Sequence, residues 1–194
     1  TTIEEKVFAN CFRLSEITVP DGVTTIGYSA FKVCDSLTEI TIPDSVESLG
    51  EEAFSGCGQL KTVTLGSGLK AIEDKTFYRC SSLTGITIPD GVTTIGNSAF
   101  AGCRQLKTVT LGSGLIFIFE DAFRDCNLLT EITIPASVFE IGSGAFKECW
   151  YLSSVTFENK NGWKVDGNAL DVSDEAKNAE WLTITYVDHR WTRS

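Results

Sequence analysis

The stretch Cys103-Arg-Gln-Leu-Lys-Thr-Val-Thr-Leu-Gly-Ser-Gly-Leu115 decides how this chain is read. It has already occurred at Cys57 to Leu69, with Gly58 in place of Arg104. The copies lie 46 residues apart, and half that distance, 23 residues, is the period of nearly everything else. Self-similarity at a fixed short period marks a repeat architecture.

Working outward, Phe recurs at Phe8, Phe31, Phe54, Phe77, Phe100, Phe123 and Phe146. Cys follows three residues later, from Cys11 to Cys149, and accounts for all seven cysteines. Three residues on comes Leu14, Leu37, Leu60, Leu83, Leu106, Leu129 and Leu152, and then a β-branched column from Ile17 to Val155. Each Leu-x-x-Ile-x-Ile segment, such as Leu37 to Ile42, alternates apolar and polar residues, as a short strand with one buried face does. Pro-Asp ends it at Pro20, Pro43 and Pro89, and Gly-Ser does so at Gly66 and Gly112. Pro cannot donate to a ladder and marks the strand's limit. A second extended piece, Val-x-x-Ile-Gly, follows. Ser-Ala-Phe-x-x-Cys then makes a tight turn or a single helical turn. A unit this small cannot bury its own apolar face, but stacked units cover one another. The expected fold is an α/β repeat, a right-handed leucine-rich solenoid of about seven units. Its strands form one parallel, concave sheet about 4.8 Å apart.

Two domain-like parts are expected. Residues 1–157 carry the repeat, and 158–194 differ in composition and hold three of the four tryptophans. Gly162 to Val165 reads as extended. Ser173 to Trp181 reads as a short helix with Ser173 as N-cap and Asp174 and Glu175 at its positive end. The rings of this tail are expected to cover the last unit. Thr1-Thr2-Ile3 matches Thr24-Thr25-Ile26, so the chain starts inside a unit and further repeats are expected upstream. It holds no Met, which makes a missing leader uninformative.

Ile88 to Thr110 resembles the BspA-like leucine-rich repeat family at nearly every fixed position of its unit, and the resemblance covers about 1–157. Asn178-Ala-Glu-Trp-Leu and Tyr186-Val-Asp-His-Arg-Trp191 are similar to the closing segment of such proteins. The resemblance implies an exported protein, cell-surface or secreted and bacterial, of an adhesive kind. Its partners would be proteins or glycans, host extracellular matrix and plasma proteins among them. Repeat scaffolds carry many specificities, so no ligand is named by the fold.

The residues narrow the functional classes. Net charge is −10 with no basic run, which argues against nucleic acid. No apolar run approaches the roughly 20 residues needed to span a bilayer. Seven cysteines at one per unit stack into a single column with parallel side chains, a poor disulfide geometry. They read as buried packing residues. With no Cys-x-x-Cys and one His, His189, no metal site is expected. No nucleophile motif is present, no cofactor is implied, and the chain reads as non-enzymatic. Asp21, Asp44 and Asp90 share a rim, but their column changes to Ser67, Ser113 and Ala136, so no repeated Ca²⁺ ligand set exists.

Two surfaces are candidates for binding. The outward strand position is Thr in all seven units: Thr18, Thr41, Thr64, Thr87, Thr110, Thr133 and Thr156. Two residues earlier the column varies: Glu16, Glu39, Thr62, Gly85, Thr108, Glu131 and Ser154. The row serves either as a scaffold of cross-strand pairs or as a contact surface. The other candidate is a break in pattern. Leu115-Ile116-Phe117-Ile118-Phe119 puts apolar residues where water-facing ones are expected, and Phe139 shares a column with Ile116. Ile116, Phe117, Phe119 and Phe139 would line one outer edge, as an interface, beneath the tail, or through a local backbone shift. The functional reading is a recognition module; the alternative is a structural spacer projecting another domain.

Overall fold

The computed structural model describes residues 1–194. Each unit contributes three sides. The first is the threonine strand, at Glu39–Thr41, Thr62–Thr64, Gly85–Thr87 and Thr108–Thr110. These four pair in parallel, and Glu131–Ile134 pairs in parallel with Ser154–Phe157. The second side is a two-residue strand, from Thr2–Ile3 to Glu140–Ile141. The third is the Ala-Phe-x-x-Cys turn. Every parallel pairing steps by one period, Thr2 with Thr25 and Glu39 with Thr62. The fold is therefore a parallel solenoid of about seven turns.

The threonine column is not one continuous ladder. Pairing lapses between Thr108–Thr110 and Glu131–Ile134, and Glu16–Thr18 forms no strand. The stack itself does not open at the lapse, because Phe100 and Phe123 still lie 5.2 Å apart. The departure from a single sheet is a local loss of ladder hydrogen bonds over an unbroken core.

That core has 51 buried residues in one cluster. Along it the phenylalanines stack from Phe8 to Phe146, with ring centroids 5.1 to 5.5 Å apart. Burying each ring contributes about 2 kcal/mol before entropy is counted. Six cysteines sit beside them, fully buried and free. Each donates its S–H to the carbonyl of the preceding unit's Phe: Cys57 to Phe31 at 3.1 Å, Cys80 to Phe54 at 3.2 Å. Cys11 has no such partner and is only half-buried.

The turn is not helical. Two of its residues take left-handed backbone, two before and two after the Phe: Lys75 and Arg79 around Phe77, Glu52 and Gly56 around Phe54. Hydrogen bonds between units hold this shape. Phe31 N donates to Ala53 O at 2.8 Å and Val33 N to Ser55 O at 2.8 Å.

The Pro-Asp and Gly-Ser alternation has a physical cause. Asp44 accepts from Ser67 N at 2.7 Å and Ser67 Oγ at 3.0 Å, and Asp90 binds Ser113 in the same way. At Gly66 a Cβ would lie 2.4 Å from Pro43 O, so this pair of units closes on a glycine. Blocks of two units are thereby stapled together.

The tail turns back on the second strand column. Trp191–Arg193 pairs antiparallel with Glu140–Ile141 and with Trp163–Val165. Trp163 and Trp191 are buried, with ring centroids 4.8 and 6.1 Å from that of Phe157. The expected cover of the last unit is present. The helix, α1, spans Glu175–Glu180, and its N-cap is Asp174, which accepts from Lys177 N. Ser173 precedes it and does not cap. A wider turn follows over Trp181–Thr185, closed by Tyr186 N on Trp181 O.

Candidate functional site

On the threonine face, Thr18, Thr41, Thr64, Thr87, Thr110 and Thr133 are exposed, and Thr156 is half-buried. Alternation along the strand places them there: Ile40, Val63 and Ile86 point inward and are buried. The second column follows the same rule. Glu16, Glu39, Thr62, Thr108 and Glu131 are exposed, and Gly85 and Ser154 are half-covered. Thr41, Thr64, Glu39 and Thr62 are thus cross-strand neighbours in one sheet, as are Gly85, Thr87, Thr108 and Thr110. Glu16 and Thr18 lie on an unpaired segment, outside that sheet.

Two adjoining depressions mark this face. One, of about 520 Å³, is centred on Gly85, with Thr64, Thr87, Thr108 and Thr110 around it and Asp44 and Ser67 at the rim. The missing side chain at Gly85 makes the notch. A Cβ there would lie 2.6 Å from Thr108 Oγ1, so the Thr108 hydroxyl takes the space. The other depression, about 390 Å³, lies over the lapse in the ladder and shares Thr110. Glu131, Glu158 and Glu175 line it. Glu158 accepts from Ala136 N at 2.9 Å and Glu175 from Ser154 Oγ at 3.1 Å, while Glu131 makes no hydrogen bond or ion pair. The carboxylates do not converge into a metal-holding group. The face offers hydroxyls that both donate and accept, beside a region of negative charge.

The apolar break lies on the second strand column. Phe117 stacks on Phe119 at 5.9 Å and meets Phe139 edge-on at 6.5 Å. Ile116 and Phe139 are 37% and 44% exposed, and Phe117 and Phe119 are half-buried. The tail flanks the patch, with Arg193 N donating to Phe139 O, and leaves it open.

Two features escape sequence reading. On the turn side, Arg79, Arg104 and Arg124 border a groove of about 690 Å³. Arg104 pairs with Asp125 at 2.9 Å and Arg124 with Glu148 at 3.1 Å. At the end of the stack, Trp150 and Ile184 border an apolar groove between the seventh turn and α1. A signal for the latter does exist in the sequence. The position after Cys is Phe12 in the first unit, then Asp35, Gly58, Ser81, Arg104 and Asn127 along the stack, and an aromatic again at Trp150. No helix is long and apolar enough to cross a membrane.

The comparisons agree on a family. Residues 1–128 and 70–170 match the BspA type leucine rich repeat region, in six copies. The chain is similar to a leucine rich cell surface protein from Faecalibacterium prausnitzii, at 34% identity and a TM-score of 0.75 over 88% of this chain and 45% of that one. A leucine-rich repeat protein of Eubacterium ventriosum aligns at 35% identity and a TM-score of 0.66, over 69% and 36% of the two chains. The leucine rich repeat protein of T. pallidum aligns at 34% and 0.69, over 73% and 68%. The chain therefore spans less than half the length of the first two. None of the curated proteins matches it.

Proposed function

Because the chain belongs to the BspA-type leucine-rich repeat family, we propose that it is an exported, non-enzymatic recognition module that holds a protein or glycan on its threonine face. One observation carries this reading. An exposed row of identical hydroxyls runs beside a column whose chemistry changes from unit to unit, and two depressions interrupt it. A constant backbone with a varying outer column is how a repeat scaffold sets specificity. Hydroxyl rows suit a ligand rich in hydroxyls or amides, and the carboxylate end suits one bearing cationic groups. The ligand class includes host extracellular matrix and plasma proteins. The cell-surface assignment of the F. prausnitzii relative supports an extracellular location. Ile116, Phe117, Phe119 and Phe139 form a second contact surface in this reading, since exposed apolar patches mark interfaces.

The test is binding of the protein to an immobilised panel of matrix proteins, plasma proteins and glycans, with Glu39→Lys and Glu131→Lys beside it. Both side chains are exposed, so the variants fold. A specific ligand is expected to lose about tenfold or more in affinity when these charges are reversed. A ligand bound equally well by both variants and the parent refutes the threonine face as the site.

The continuous phenylalanine stack favours a second reading, a rigid spacer that projects another domain. It is distinguished by a blank panel from well-folded protein.

A further inference from the structure

The groove between the seventh turn and α1 lies apart from the threonine face. It has a volume of about 410 Å³, with Leu152, Ala176, Ala179 and Val187 among its apolar lining. At its lip stand Trp150, 74% exposed, and Ile184, 70% exposed, with Tyr151 next in sequence at 63%. These are the three most exposed large apolar side chains of the molecule. A Trp anchor at the lip of an apolar pocket is a usual feature of a binding hot spot.

The charges around the groove say what would fill it. Lys147 is neutralised by Asp188 at 2.8 Å, and Glu148 by Arg124 at 3.1 Å. Glu180 also lines the groove, is exposed, and makes no hydrogen bond or ion pair. Its carboxylate is the one uncompensated charge there. The open face of the Trp150 indole attracts cations as well. We infer that this groove seats an apolar side chain of a partner protein, flanked in the partner's sequence by Lys or Arg. The ammonium or guanidinium group meets Glu180 and the Trp150 ring while the apolar side chain lies against Ala176 and Val187. The chain's net charge of −10 steers such a segment toward it.

The probes are two capped tetrapeptides, Lys-Leu-Leu-Lys and Glu-Leu-Leu-Glu, which share the apolar pair and differ in charge. Binding is followed by NMR through the Trp150 indole N–H and the Ala176 and Ile184 amides. The cationic peptide is expected to shift these signals saturably and to bind about two- to fivefold tighter than the anionic one, the size of an exposed ion pair. Glu180→Gln removes that preference, and Ile184→Ser or Trp150→Ala weakens both peptides. The exposed positions of these residues keep the variants folded. Glu39→Lys and Glu131→Lys leave peptide binding unchanged, which separates this site from the threonine face. Equal affinity for the two peptides, no binding by either, or shifts mapping elsewhere overturns the inference. So does movement of the same signals on raising protein concentration alone, which assigns the groove to a second copy. Binding of phosphatidylcholine vesicles through Trp150 in place of the peptides would assign it to a membrane instead.

Discussion

The Sγ of Cys80 lies 3.2 Å from the carbonyl oxygen of Phe54, one unit back along the stack. The same contact recurs from Cys34 to Cys149 and gives each Phe carbonyl from Phe8 to Phe123, other than Phe31, a second donor besides its own turn's Cys N–H. Burial pushes the Cys80 and Cys149 thiols up to about 12, and raises those of Cys103 and Cys126 as well. Thiolate is the reactive form, so these groups are inert while the protein is folded. A thiol reagent at pH 8 is therefore expected to leave Cys80, Cys103, Cys126 and Cys149 unmodified in the native molecule and to modify them after denaturation. Mass mapping that finds Cys80 modified in native protein would refute the buried ladder.

Substitution at Cys80 separates its two roles. Cys80→Ser keeps a donor for Phe54 O and loses a little volume, so its cost is expected near 1 kcal/mol. Cys80→Asp places a carboxylate where no cation stands and is expected to cost about 3 kcal/mol or more. Denaturant unfolding of the pair measures both, and an Asp variant as stable as the Ser variant would contradict the placement.

The buried columns were legible because a period of 23 residues leaves each apolar position one place to go. The Thr row and the buried cysteines follow from that alone, and the tail rings over Phe157 from the change of composition where the period stops. Four things were not legible. The left-handed residues around each Phe include Lys6, Val33 and Arg79, types that give no local sign of it. Their conformation is imposed by hydrogen bonds from the next unit. The N-cap falls on Asp174 where Ser173 is equally suited. The Trp150 groove joins residues 147–152 to 176–187, a meeting only the tail's return creates. On the threonine face, the identities of Glu39, Gly85 and Glu131 were plain, but the notch formed by Thr108 leaning over Gly85 was not.

Val33 has φ 58°, and a β-branched residue is poorly suited to left-handed backbone. The same column holds Asn10 at φ 61° and Gly56 at φ 76°. Asn tolerates this region because its short polar side chain bonds locally. Val33→Asn is expected to stabilise by about 1 kcal/mol. Thermal unfolding checks it, and a lowered midpoint would mean that the packing of the Val33 side chain outweighs the relief of strain.

Stability should fall on the acid side. Ser67 N–H holds Asp44 below its ordinary pKa of 3.8, Ser113 N–H does the same for Asp90, and Lys32 holds Glu52 below 4.5. A carboxylate whose pKa is lowered by folding adds stability that is complete above its unfolded value. That stability is lost as pH falls through the folded value. Glu73 runs the other way: burial raises its pKa, so its protonated form favours the fold and that contribution is lost as pH rises. Asp171 and Asp188 are lowered as well, by Ser173 and Lys147, so with five groups against one the melting temperature is expected to be level from pH 7 to pH 5 and to drop below about pH 4. In the double variant Asp44→Asn, Asp90→Asn the drop should be shallower. An unchanged profile would show that the Asp–Ser staples do not contribute.

The last threonine strand, Ser154–Phe157, has a ladder partner on one side only, and α1 covers the other. Asn178 makes that cover hydrogen-bonded. Its Nδ2 donates to Val155 O at 2.9 Å and to Val172 O at 3.0 Å, fully buried. Asn178 stands 23 residues after Val155, so its side-chain amide replaces the backbone donor that another unit would supply. An uncovered strand edge is a template for association with other chains, and a helix laid along it removes the hazard. Asn178→Leu keeps the volume but strands two buried carbonyls, at an expected cost of about 2 to 4 kcal/mol. Asn178→Asp should cost more, because it sets a charge against both oxygens. Each variant is also expected to raise the associating fraction in sedimentation at high protein concentration. A stable, monomeric Leu variant would mean that apolar cover alone closes this end of the stack.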